Sequence, residues 1–599
     1  MKFKSVLSIA LASTMLCAAA AGAAEYTYDP ANPYDGLIVG LFNDVPIAAE
    51  EQEGIASIYL PEGLQPWAQA TIILTPDGVT AAEFAESELG LQWRAFADEA
   101  KIGLGILEPA DGAWNLELDE SGRNDAAILN QLYMTMRSKS KELKAPFTMD
   151  KTHTSLIGYQ EGGAAALLFG ARYATDFSSI VAVDAPAVSA EAFEAVGAQL
   201  VIPFAADSTA GIEEMHVEAR NVPTPVWFLN SETGAALDFF LAASGAQPAE
   251  ANEYAENVCI AENEAVQIWV GEGEYTPAEI YAAFLGRTNR FMAMEDGGRV
   301  EFTTDMTTDQ YIFHEEEING EPRRWITYVP TSYTGEEAVP VVMAIHGYTA
   351  SMQSMVEESR WSEVAEEYGF IVLFMQGMVR ERDGGNIPAA TWVAGAFAPS
   401  VHVDDPDIDL KFLNAVLDQT EEEYNIDKSR EYVTGHSNGS MMTWEMGAHY
   451  TDRIAAIAPI GFTTPADSFD SDALIGVWTM CGEYDSAATP NMIDGNETVK
   501  TLRSYNEHNG VDETKLETSE QYDGQWQTMT FPGEGGVPLV RFTNILRTAH
   551  IYMPQEARTA WEDFFSHYTR GEDGSLYYDG ELVEKQEYVA DDAWITPAE

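Results

Sequence analysis

Two successive α/β units, each a mainly parallel sheet covered by helices, are what the 599-residue sequence predicts. Strand-like runs alternate with helical runs of about 10–15 residues, the pattern of parallel strands joined by helical crossovers. The chain is also longer than one hydrophobic core normally serves. Finally, it repeats itself. Ala56 to Pro61 followed by Ala70 to Gly78 parallels Trp325 to Pro330 followed by Val339 to Gly347. Trp93 to Ala100 with Ile102 to Ile106 parallels Trp361 to Tyr368 with Phe370 to Phe374, in each case a helix leading into a buried strand. Leu156 to Gly163 then stands where Val433 to Gly439 stands in the second half. The expected division is a leader over 1–24, a first unit over 25–295, a second over 296–570 and an acidic extension over 571–599, with the junction near Met292 to Gln310.

Taken in order, the chain opens on Lys2 and Lys4, an apolar run from Val6 to Ala21 and the small-residue site Ala21-Gly22-Ala23. These read as a cleavable signal peptide, so export is expected. Leu16 is bulky where a lipid attachment at Cys17 would follow a small residue, which argues against an anchor. No later apolar run reaches membrane-spanning length. Removing the leader takes the formal net charge from −65 to −67. A surface of that sign repels nucleic acid and anionic lipid. The 13 Trp, 26 Tyr and 26 Phe exclude a disordered chain. After processing only Cys259 and Cys481 remain, too few for a disulfide scaffold. Zinc signatures are absent.

The second unit opens with a hairpin, Ile312 to Glu317 and Arg324 to Val329, turned at Asn319-Gly320. Further on, Tyr432 and Val433 lead into Gly435-His436-Ser437-Asn438-Gly439, and helical composition follows from Met441 to Ala448. This strand, G-x-S-x-G turn and helix is the nucleophile-elbow pattern, which exposes one serine at a sharp bend. Ser437 is therefore the candidate nucleophile. A serine needs a base within reach and a third group to orient that base. The strand-like Leu474 to Met480 runs into Cys481-Gly-Glu-Tyr-Asp485, where Asp485 is the candidate acid and Glu483 its rival. Of the histidines that follow, His508 reads as a helix-end residue and His567 as a dipole-compatible one. His550 lies between the strand-like Leu539 to Ile545 and the helix opening at Pro554, which makes it the candidate base. Two N–H donors should meet the developing oxyanion, one from Asn438 and one from the loop His346-Gly347-Tyr348, with Tyr348 the preferred donor. After the helix Pro554 to Tyr568 the last stretch, Gly571 to Glu599, is polar and acidic.

His346-Gly347, Thr391-Trp392, Val403-Asp404-Asp405, Tyr432 to Met442, Cys481 to Asp485, and His550 with Met553-Pro554 and Trp561 together resemble a secreted esterase group. That group includes poly(3-hydroxybutyrate) depolymerase-like proteins and feruloyl and acetylxylan esterases. The resemblance covers roughly 312–570. It implies an α/β-hydrolase fold, ester cleavage through an acyl-enzyme, and neither metal nor cofactor. It also implies that the segment around Trp392 borders the substrate cleft, and His346 and His436 are expected beside it as substrate-contacting residues. Ala394, Gly395 and Ala396 stand where depolymerases often carry a cysteine pair after that tryptophan. The cluster Asp404, Asp405, Asp407 and Asp409 is expected to start a helix over Leu410 to Gln419 rather than hold calcium.

Aligning the halves sets Gln160 opposite Ser437, Gly234 opposite Asp485, Gly273 opposite His550 and Asp77 opposite His346. None of the three triad positions keeps a residue able to do its work, so the first unit is expected to be inert as a hydrolase. The expected partner is an ester substrate, a plant glycan ester or a polyester among the candidates. Two alternatives stand beside the esterase: a serine peptidase of the same fold, and a non-catalytic protein binding glycan or polymer.

Overall fold

A computed structural model describes residues 39–49, 52–64, 68–117, 123–137, 149–150, 152–201, 216–291, 299–383, 389–466, 468–485 and 492–597. The expected leader, with Cys17, lies outside the described residues, as does 292–298 of the expected junction.

The first sheet holds β1 (Gly40–Ala49), β2 (Gln52–Leu60), β3 (Ala70–Leu74), β4 (Gly103–Leu107), β5 (Thr154–Tyr159), β6 (Ile180–Val183), β7 (Val226–Leu229), β8 (Gln247–Ala249), β9 (Asn257–Ile260) and β10 (Gln267–Gly271). The second holds β11 (Tyr311–Ile318), β12 (Glu321–Tyr328), β13 (Val339–Ile345), β14 (Ile371–Gln376), β15 (Ile426–His436), β16 (Ala456–Ile460), β17 (Gly476–Gly482), β18 (Glu517–Gln521), β19 (Trp526–Phe531) and β20 (Val540–Ile545). Both are 10-stranded and their spatial orders are the same: β1-β2-β4-β3-β5-β6-β7-β10-β9-β8 and β11-β12-β14-β13-β15-β16-β17-β20-β19-β18. In each, the centre is parallel and the outer strands are antiparallel. The central strands are buried on both faces, as their unbroken apolar sequences require. Such a sheet, crossed by helices, is the α/β-hydrolase architecture, here in two tandem copies.

The helices that matter for the site are α1 (Asp125–Arg137), α2 (Glu161–Arg172), α3 (Pro277–Ala283), α4 (Met352–Ser359), α5 (Ile408–Glu423), α6 (Asn438–His449) and α7 (Pro554–Glu562). The hairpin β11–β12 turns at Asn319 and Gly320, with φ of 56° and 80°. Two left-handed residues in a two-residue loop match the right-handed strand twist. The aspartate cluster does precede a helix, although α5 begins at Ile408, before Leu410. Asp407 caps it without a side-chain bond, and Asp409 is buried at 0% exposure between Arg323 and Arg380. The acidic end of the chain packs on the second unit. Tyr568–Arg570, Leu576–Tyr578 and Glu581–Leu582 form a small sheet, and Trp594 donates to Glu513 with its ring against Phe531. Cys259 and Cys481 are free thiols, and Cys481 is buried.

The segment entering the second unit is clamped to α4. The Thr304 N–H and hydroxyl donate to Glu357, and Arg360 pairs with Glu357 and Glu301 while donating to the Phe302 carbonyl. Burial pushes the Glu357 carboxyl up to about 7, against the pull of Arg360 and the Thr304 bonds. Because the folded value lies above the unfolded one, this group's contribution to stability is full below about pH 4.5 and is lost as pH rises through about 7. Glu357→Gln is therefore expected to flatten the decline of melting temperature between about pH 5 and pH 8. Parallel melting curves for both proteins check this, and an unchanged slope would refute it.

Candidate active site

The elbow is dictated by close packing. A Cβ on Gly435 would lie 2.5 Å from the Gly439 carbonyl oxygen, and one on Gly439 would lie 2.1 Å from that of Ile345. Only glycine lets β15, α6 and β13 approach this closely. Between them Ser437 takes φ 56° and ψ −114°, a sparsely populated conformation that costs on the order of 1–3 kcal/mol in a non-glycine residue. Its N–H donates to the Ile460 carbonyl at 2.9 Å, which fixes the turn to the end of β16.

The candidate acid and the candidate base meet where β17 and β20 end side by side. The Glu483 N–H donates to Ile545 and the Tyr484 N–H to Thr548, so the two loops are zipped together. His550 Nδ1 lies 2.9 and 2.8 Å from the two carboxylate oxygens of Asp485. The Asp485 side chain is 1% exposed and that of His550 25%, a sheltered acid and a reachable imidazole. Glu483, the rival, instead accepts the Arg547 N–H. His508 stacks on Phe469 and bonds the Ala473 carbonyl, and His567 pairs with Asp579, both away from Asp485. The hinge of the site is Gly461, which follows the strand end that holds Ser437. Its φ is +71°, and a Cβ there would lie 3.2 Å from His550 Cε1 and 3.3 Å from Asp485 Oδ2. The sequence reading passed over this glycine. Its signal was a lone Gly directly after a buried strand.

The loop after β13 comes close to the serine, since a Cβ on Gly347 would lie 3.3 Å from Ser437 Cβ. This brings the Tyr348 backbone beside the elbow, and the Thr349 N–H pins the loop to Ala390. The Tyr348 ring packs edge-on against Phe397 at 5.2 Å. Asn438 opens α6, where the first N–H groups lack intrahelical partners. Its side chain accepts from Trp392 N–H at 2.7 Å and from the Thr391 hydroxyl at 3.1 Å. Pinning the elbow to the Thr391-Trp392 strand is therefore the work of that amide.

The three residues expected to contact substrate, His346, Trp392 and His436, all have buried side chains. His346 is 1% exposed: its Nε2 accepts the Gly377 N–H, its Nδ1 bonds the Gly347 carbonyl, and burial pushes its imidazole down to about 4. It is a neutral ring that shapes the loop from behind. Trp392 is 0% exposed, donates to the His346 carbonyl at 2.9 Å and stacks over Phe412. It ties its segment to the His346 loop from inside. His436 is 5% exposed and lies against the base, its ring centroid 4.7 Å from that of His550.

The first unit keeps the scaffold of this site. Gln160 stands at φ 52° and ψ −121°, between Gly158 and Gly162, which make the same close approaches as Gly435 and Gly439. Trp114 donates to the Thr75 carbonyl as Trp392 does to that of His346. Asn115 N–H donates to buried Asp125 as Val393 N–H does to Asp409. Sheet register corrects two equivalences. Leu74 pairs with Gly158 and Ile345 with Gly435, which puts Thr75, and not Asp77, opposite His346; Asp77 stands opposite Tyr348. Matching the sequences from the strand starts had slipped by two residues, because β13 is longer than β3. The register also puts Gly271 opposite Thr543, and so Gly273 opposite Ile545 and not His550; the loop between β10 and α3 carries no histidine.

Among the described residues, no group of three or more His, Cys, Asp or Glu is placed to hold a metal ion, and no helix is long and apolar enough to cross a membrane. No family model matches the chain. Acetylxylan esterase A of Emericella nidulans is 32% identical over 168 residues, 27% of this chain and 50% of that protein. Acetylxylan esterase A of Aspergillus oryzae is 31% identical over 166 residues, with the same coverage. The chain spans about half the length of the curated relatives it matches. Among solved structures, an acetyl xylan esterase from Aspergillus awamori aligns at 16% identity and a TM-score of 0.33, over 43% of this chain and 99% of that one.

Proposed function

We propose that this chain is an exported serine esterase whose single active site lies in the second unit. The observation that carries the reading is the buried Asp485 carboxylate held against Nδ1 of a reachable His550, in a site that also contains a serine at a strained elbow. Asp485 fixes the tautomer that leaves Nε2 free of hydrogen, so that Nε2 takes the Ser437 proton as its oxygen attacks the ester carbonyl. The N–H groups of Asn438 and Tyr348 hold the oxyanion. The imidazolium then gives its proton to the departing alcohol. Water, deprotonated by the same imidazole, hydrolyses the acyl-enzyme and restores the serine.

Acetyl groups carried on xylan are the favoured substrate, on the strength of the acetylxylan esterases it resembles. Feruloyl glycan esters and short polyesters are the next to try. In this reading the residues before 25 are a leader, and the first unit is a catalytically silent copy of the second. Its retained elbow and missing triad groups support that. The test is release of acetate from acetylated xylan and of p-nitrophenol from p-nitrophenyl acetate. Ser437→Ala is expected to lose about 10⁴-fold or more in rate. A wild type inert on both esters, or a variant that keeps the rate, sinks the proposal.

A further inference from the structure

We propose that Glu358 and His436 form a positioning pair that holds the ring face of His550, a role that rests on the reading of Ser437, Asp485 and His550 given above. Asp485 restrains the imidazole along one edge only, through Nδ1. A ring held at one edge still tilts about that bond, and Nε2 swings with it. Proton transfer tolerates little such misplacement. A second restraint must act on the face, and His436 is the residue there, with its ring 4.7 Å from that of His550 and inclined by 34°.

His436 is itself tightly framed. Its Cδ2 lies 3.1 Å from the Cβ position of Gly461, its Nδ1 3.6 Å from that of Gly347, and Tyr552 stands edge-on to it at 88°. Nδ1 also lies 3.9 Å from Glu358 Oε2. Glu358 comes from α4 and is 7% exposed. A buried carboxyl is costly unless a polar or cationic partner faces it, and His436 is such a partner. The distance suits an ion pair better than a tight hydrogen bond.

The first unit supplies an internal comparison. Tyr159 occupies the position of His436, and the loop between β10 and α3 holds no histidine. With no base to back, the Tyr159 hydroxyl instead accepts from Trp93 Nε1 at 2.8 Å. The histidine before the elbow therefore goes with the histidine it stacks on.

Glu358→Gln and His436→Phe both preserve shape, and the phenyl ring can still pack. Each is expected to lower kcat for p-nitrophenyl acetate by about 5–20-fold with KM within about threefold; Glu358→Gln keeps the melting temperature, whereas His436→Phe takes the imidazole away from the Glu358 carboxyl and lowers it, so rates are read well below both transitions. The double variant is expected to be no slower than the slower single one, because Glu358 acts only through His436. Parental kcat in either single variant, a loss confined to KM, or losses that multiply in the double variant would each overturn the pair. Ser437→Ala run alongside separates the two readings: if it keeps the parental rate, the catalytic assignment itself has failed.

Discussion

Asp485→Asn is expected to cut kcat for ester hydrolysis by about 10⁴-fold while KM changes by no more than a few-fold. The carboxylate lies 2.8 Å from His550 Nδ1 and is almost wholly buried, so no water can take its place. An amide there can donate to Nδ1 and so stabilise the tautomer with hydrogen on Nε2, leaving nothing to receive the serine proton. The amide also lacks the charge that stabilises the imidazolium. Stopped-flow or steady-state kinetics on p-nitrophenyl acetate measure it. A loss below about tenfold would reassign the acid, with Glu483 the next group to test.

The largest effect on stability is expected from Asp409→Ala. Asp409 lies 2.7 Å from Arg323 Nη1 and 3.4 Å from Arg380 Nη2, and accepts the Val393 N–H at 2.8 Å. Arg323 is itself 0% exposed and lies over the Phe412 ring. Deleting Asp409 leaves two buried guanidinium groups sharing the single carboxylate of Glu321 and the Val393 N–H without its acceptor, at about 3 kcal/mol. The unfolding transition of the second unit should fall by roughly 10 °C. Burial alone would raise the Asp409 carboxyl, but the charges of Arg323 and Arg380 and the Val393 bond outweigh it and hold the group below its ordinary value. Its contribution is therefore present above about pH 4 and disappears as pH falls through the lower folded value. Acid-induced unfolding followed by tryptophan fluorescence should show that loss in the parent and its absence in Asp409→Ala. Equal acid curves would assign the stability elsewhere.

The architecture, the elbow at Ser437 and the meeting of Asp485 with His550 were legible in the sequence, because each rests on local pattern. A G-x-S-x-G turn, a strand running into an acid and a loop between strand and helix are all contiguous stretches. What escaped were contacts between distant stretches. Asp409 reads as a helix-start aspartate, and nothing in 404–409 announces Arg323, 86 residues earlier. Trp392 and His346 read as cleft residues from their neighbours, yet each turns its ring inward to the other's backbone or to Gly377. Glu358 sits in an apparently ordinary helix, and only the fold brings it to His436. The offset of Asp77 has the same origin, since strand length, not sequence likeness, sets the register.

An elbow bent to the same angles around Gln160 and around Ser437 bears on how such chains are surveyed. The contortion belongs to the packing of strand against helix and forms around a glutamine as well as around a serine. A backbone search for strained elbows will return both halves of this molecule as enzymes, whereas a search for an imidazole facing a sheltered carboxylate returns one. For a protein designer the same fact offers a rigid platform: position 160 presents an exposed side chain on a turn that holds its shape around a glutamine.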